Sequence, residues 1–138
     1  MKKTIYMLAV AVVISLVLPV SIVLAGDGAD HYSNVKMSGE TGDCGGFELW
    51  LTKSGQSFSG EFAGHEGDCG ADKKKLEDVK YDAKTGALSF KAPYLSDDFY
   101  CTFKGTVKKD RVSGTIRLFQ KKSKEMTYSE KVNLLKEE

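Results

Sequence analysis

Residues Phe99 to Phe119 constrain the fold of this chain more than any other stretch, because they spell out a β-hairpin. Phe99, Cys101, Phe103 and Val107 alternate with Tyr100, Thr102, Lys104 and Thr106, the period-two pattern of a strand with one dry face and one wet face. A two-residue loop at Lys109-Asp110 pairs Val107 with Val112, Phe103 with Ile116 and Cys101 with Leu118. Both apolar sets then fall on one face of the sheet.

The same grammar extends through the chain. Tyr32 to Glu40 reads as a first strand with Val35 and Met37 on one face. Phe47, Leu49 and Leu51 alternate with polar residues and Trp50, and a turn at Ser54-Gly55 sets them opposite Phe62, Gly60 and Phe58. That register places Cys44 opposite His65. Leu76–Tyr81 and Ala87–Ala92 form a third pair around Ala83-Lys84-Thr85-Gly86, with Tyr81 facing Leu88 and Val79 facing Phe90. Pro93 and Ser96-Asp97-Asp98 are expected to end it. A last strand from Lys124 to Lys136 sets Met126 opposite Leu118, Tyr128 opposite Ile116 and Val132 opposite Val112. No mature segment carries a helical period. The predicted fold is all-β: eight strands in an antiparallel up-and-down meander, closed as a small barrel so that no long edge is left bare.

The first residues have a different character. Lys2 and Lys3 precede an apolar run, and Val23-Leu24-Ala25 offers small residues for cleavage before Gly26, the layout of a secretory signal peptide. An uncleaved anchor is the alternative, since Ile5 to Ala25 could span a bilayer core of ~30 Å as a helix. Pro19, Ser21 and the cleavage-like triplet favour the signal, which leaves no stable membrane anchor once it is removed. Residues 1–25 are therefore assigned to a signal peptide, 26–30 to a flexible leader and 31–138 to a single β-barrel domain.

The location predicted is exported, periplasmic or secreted. Losing Lys2 and Lys3 turns the formal net charge from +1 to −1. A balance so close to zero gives no electrostatic footprint for nucleic acid.

The Phe103-x-Gly105-x-Val107…Val112-x-Gly114-x-Ile116 cadence, followed by a strand ending Val132-Asn133-Leu134, resembles small exported bacterial β-barrel domains of lipocalin-like or avidin-like architecture. The resemblance lies in strand rhythm, and it implies a barrel whose interior is packed or holds one small ligand. The lone Trp50 falls on the predicted outer face, so a cage of several tryptophans cannot be built. Fold alone does not fix function.

Chemistry-bearing residues gather at the rim opposite the hairpin turns. Gly42-Asp43-Cys44-Gly45 and Gly67-Asp68-Cys69-Gly70 repeat one tetrapeptide on either side of a hairpin. In an exported protein such a pair reads first as a disulfide, Cys44 with Cys69. Pairings of either with Cys101 remain open. Cys101 is the free-thiol candidate, packed inward between Phe99 and Phe103.

His65 is a rim candidate. Together with the three cysteines it has ligand types suited to zinc, but no Cys-x-x-Cys element is present. A Cys101–His65 dyad would require a lowered thiol pKa, and an inward apolar position raises it. No metal or cofactor is expected. Tyr81, Tyr128 and Glu130 are interior pocket candidates, since the register sets Glu130 beside Gly105 and Gly114. The alternative is a bulge that turns Glu130 outward, because a buried unpaired carboxylate is costly.

No nucleophile, base and orienting group converge, so the chain reads as non-enzymatic. The function expected is a binding module taking a small apolar ligand in the barrel interior or at its disulfide-bearing rim. The alternative is an envelope protein-interaction or enzyme-inhibitor domain with a fully packed core.

Overall fold

The structure, a computed structural model, describes residues 28–138. The signal-peptide assignment and the first part of the leader lie outside the described residues. The strands are β1 (Asp30–Ser33), β2 (Lys36–Met37), β3 (Cys44–Ser54), β4 (Ser57–Gly67) and β5 (Lys74–Lys75), then β6 (Glu77–Asp82), β7 (Ala87–Tyr94), β8 (Phe99–Val107), β9 (Arg111–Gln120) and β10 (Met126–Lys136). All pairs are antiparallel, in the order β5-β4-β3-β1-β10-β9-β8-β7-β6, with β2 also on β3.

These ten segments act as eight staves, because β1/β2 and β5/β6 are each one bent strand. The β5/β6 stave changes partner along its length. Lys74 and Lys75 pair with β4, and the Leu76 amide reaches Gly60 O at 2.9 Å. Beyond a register shift and a positive φ of 51° at Asp78, the same stave pairs with β7. Bulges of this kind let a strand turn a corner. The result is a nearly closed up-and-down barrel.

The β8–β9 hairpin has the register read from the sequence, with Val107 opposite Val112, Phe103 opposite Ile116 and Cys101 opposite Leu118. Tyr81 likewise faces Leu88.

Two other registers are corrected. In β3–β4, Leu49 faces Phe62, Phe47 faces Gly64, and Cys44 faces Gly67 rather than His65. The loop is Gly55-Gln56, and Gly55 has φ 61°, which suits the first position of a type II′ turn. Moving the loop by one residue shifts the pairing by two, so each side chain keeps its face.

In β9–β10, a register shift between Met126 and Tyr128 sets Tyr128 opposite Leu118, Glu130 opposite Ile116 and Val132 opposite Gly114. The Gln120–Glu125 bond and the positive φ of Lys124 close this loop one residue differently from the simple turn. Glu130 is therefore not the neighbour of the paired glycines, and the irregularity lies before it.

The first stave is corrected as well. Tyr32 is buried, whereas Met37 is 69% exposed and Val35 half-buried. Asn34 breaks the strand: its Oδ1 accepts from the Phe47 amide at 2.7 Å, opposite Gly46 at φ 121°.

The core fills the hairpin-turn end and the middle of the barrel with Leu49, Leu51, Phe62, Leu88, Phe90, Phe103, Val112, Ile116, Val132 and Leu134. Each large apolar side chain buried here contributes about 1.5–3 kcal/mol. Phe90 stacks on Phe103 at 5.1 Å, and Phe58 meets Tyr81 edge-on at 4.5 Å.

Candidate functional site

The barrel is tight where the hairpins turn and open at the other end. β1 has four residues and pairs with β10 at Tyr32–Lys136 and Ser33–Leu135. Beyond Ser33 the chain leaves β10 to follow β3, so most of β10 has no strand on that side among the described residues. An open cavity of about 880 Å3 lies along this gap.

Its apolar surface comes from Phe47, Tyr94, Phe99 and Leu118, and its polar groups include Glu66, Glu130 and Lys36. Tyr94 is held by geometry on two sides. A Cβ on Gly64 would lie 2.3 Å from Tyr94 Cε2, so only bare backbone on β4 leaves room for the ring. The Tyr94 hydroxyl donates to Glu66 Oε1 at 2.7 Å. Burial, and then this bond to a carboxylate, push the Tyr94 phenol well above its ordinary range.

Across the mouth Tyr128 donates to Glu130. That bond is the main cause of its raised pKa, and the Glu66 charge adds to it. Each carboxylate thus has a phenol partner.

The cavity also presents apolar side chains to solvent. Leu95 is 50% exposed, Tyr128 44% and Leu135 50%, and all three line the cavity. Leu95 has φ 49°, and the Ser96 amide bonds back to Tyr94 O. This is a tight three-residue turn of a kind rarely adopted by a branched residue. It holds Leu95 at the lip.

Cys44 and Cys69 form a disulfide spanning 25 residues, which ties the connection after β4 to the start of β3. Under that connection His65 is buried. Its Nδ1 faces Asp68 O at 3.0 Å and its Nε2 faces Glu48 at 2.7 Å. The other Glu48 oxygen is 2.9 Å from His31 Nε2. His31 stacks on Trp50, and Lys73 Nζ lies 4.0 Å from the Trp50 ring centroid.

This cluster clamps the wall that carries Glu66 on the next residue. The Cys3His set does not assemble, because two of its thiols are joined to each other.

Cys101 is buried between its lateral neighbours Ala92 and Leu118. Burial pushes its thiol up to about 12. Between its unfolded value near 9 and 12 the folded chain keeps the proton that the unfolded chain has lost. Stability therefore falls as pH rises through this window, by up to about 1.4 kcal/mol per unit from this group. Urea unfolding at pH 8 to 11 should show a steeper loss in the wild type than in Cys101→Ala, although the variant starts lower. Equal slopes would contradict the buried-thiol placement.

The interior candidates separate. Tyr128 and Glu130 line the cavity, whereas Tyr81 packs on Phe58 at the opposite end and is corrected as a pocket residue. His65 also borders the cavity. Sequence reading missed Glu66, Tyr94, Phe99 and Leu118 as a group. Tyr94 was hidden because Pro93 was expected to end its strand, yet β7 runs through to Tyr94. The β6 ladder stops at Lys91, so no amide is required of Pro93 on that edge. The Phe90, Ala92, Tyr94 alternation carried the signal.

The fold and site together define a small up-and-down β-barrel domain, packed at one end and hollow at the other. No family model matches the chain, and neither a curated protein nor a solved structure matches it.

Proposed function

We propose that this chain is an exported, non-enzymatic binding module that takes a small ligand with an apolar body in its open mouth. The observation that carries this reading is the cavity of about 880 Å3 with an apolar and aromatic lining. Its size and composition are those of small-molecule sites. The role matches the resemblance to carrier barrels of lipocalin-like or avidin-like architecture. The disulfide accords with an oxidising compartment, periplasmic or extracellular.

A second reading, an envelope protein-interaction or inhibitor domain, is favoured by the edge of β10 before Leu135, which has no strand partner among the described residues. Such an edge can accept a partner strand.

The test is titration with N-phenyl-1-naphthylamine, a neutral probe whose emission rises in apolar surroundings. Saturable one-to-one binding is expected, weakened at least tenfold in Thr127→Trp, which places an indole in the mouth from an exposed position. Absence of saturable binding would overturn the ligand reading and leave the strand-docking one.

A further inference from the structure

The mouth carries a charge pattern that an apolar ligand alone does not use. Glu66 near the open end of β4 and Glu130 midway along β10 both line the cavity. Each accepts one phenol hydrogen bond, Glu66 at Oε1 from Tyr94 and Glu130 at Oε2 from Tyr128. Glu66 Oε2 and Glu130 Oε1 receive no hydrogen bond from the described residues.

Neither carboxylate is in an ion pair among the described residues. The lysines and arginines that are paired serve Asp72, Asp110 and Asp30, and Glu48 is taken by the two histidines. Among the described residues, Lys36 is the one lysine lining the cavity. Two carboxylates bordering a concave, low-dielectric surface focus a negative potential into it.

Aromatic rings supply the second observation. Phe47, Tyr94, Phe99 and Tyr128 all line the same cavity, and ring faces attract an ammonium group. The phenol bonds fix both carboxylates in place, so their free oxygens are presented without further ordering. Apolar floor, aromatic walls and uncompensated acids together describe one ligand chemistry.

We propose that the ligand is an amphiphilic ammonium compound: an apolar body seated against Phe47, Phe99 and Leu118, and a protonated amine held between Glu66 and Glu130. This rests on the mouth-binding reading and adds the charge of the ligand to it. The amine's hydrogens would reach Glu66 Oε2 and Glu130 Oε1, the two oxygens without donors. Lys36, at the β2 side of the opening, would disfavour a second positive charge there.

The test is displacement of N-phenyl-1-naphthylamine at pH 7 by three probes of equal chain length: octylammonium, 1-octanol and octanoate. The expected order is octylammonium tightest by at least tenfold over 1-octanol, with octanoate weakest. The cation's advantage should shrink with added salt and fall below about threefold in Glu66→Gln/Glu130→Gln, in which Glu66 is exposed and Glu130 half-buried.

If 1-octanol binds as well as octylammonium in wild type, the ammonium inference is overturned and the mouth-binding reading stands. If neither the reporter nor any of the three binds, the mouth-binding reading fails with it. Should the double variant not fold, the wild-type order and its salt dependence decide alone.

Discussion

Gly114→Val is expected to destabilise the barrel by about 3 kcal/mol or more and to lower its melting temperature by roughly 12 °C. The paired glycines Gly105 and Gly114 face each other across β8 and β9. A Cβ on Gly114 would lie 2.5 Å from Lys104 O, 2.6 Å from Phe103 Cζ and 2.7 Å from Gly105 Cα. Two of those neighbours are backbone and cannot move without breaking the ladder. The third is the edge of a ring that is itself buried.

The glycines therefore do not leave a pocket; they make room for Phe103. Phe103→Leu in the Gly114→Ala background should recover part of the loss, because leucine has no atom at Cζ. Thr115→Val, one residue along on the half-wet face, should stay within about 0.5 kcal/mol. Urea denaturation of the four variants checks the set. A Gly114→Val cost below about 1 kcal/mol would contradict the packing of Phe103 over bare backbone.

Opening the Cys44–Cys69 disulfide is the second large effect. Its 25-residue separation makes the loss about 3 kcal/mol from the unfolded chain's regained freedom. The local consequence is specific. Asp68 O holds His65, Lys73 covers Trp50, and Lys74-Lys75 pair with β4, so the freed connection loosens the wall that carries Glu66.

In Cys44→Ser/Cys69→Ser, hydrogen exchange should accelerate first at residues 68–75 and at Gly45-Gly46. The β8–β9 hairpin should stay protected up to global unfolding. Probe affinity at the mouth should fall with it. Equal urea midpoints for the oxidised and reduced wild type would contradict this account of the disulfide.

How much could be read beforehand depended on the physics of each segment. For Phe99 to Phe119 the two-residue loop read at Lys109-Asp110 is the one the chain uses, so the register found is the register read. The β3–β4 and β9–β10 pairings slipped by two residues because a shift of two preserves every face. Hydrophobic patterning is blind to such a shift, and only loop geometry at Gly55 and Lys124 decides it.

The duplicated Gly-Asp-Cys-Gly on either side of one hairpin, in a chain read as exported, pointed to the disulfide. The mouth was less legible. Tyr128 and Glu130 were read as inward, but Glu66 and Tyr94 come from β4 and β7, and they meet only once both ladders are correctly aligned. Leu95 lies outside any alternation, since its position depends on one three-residue turn.

Amide chemical-shift mapping by NMR reads residue by residue whether the open end of the barrel binds a ligand. On titration with N-phenyl-1-naphthylamine, shifts should concentrate at Phe47, Glu66, Tyr94, Phe99, Leu118 and Tyr128 and saturate together. The hairpin turns at Gly55, Gly86 and Lys109 should remain still. Shifts confined to the closed end or the outer wall, or none at millimolar probe, would contradict binding at the open end.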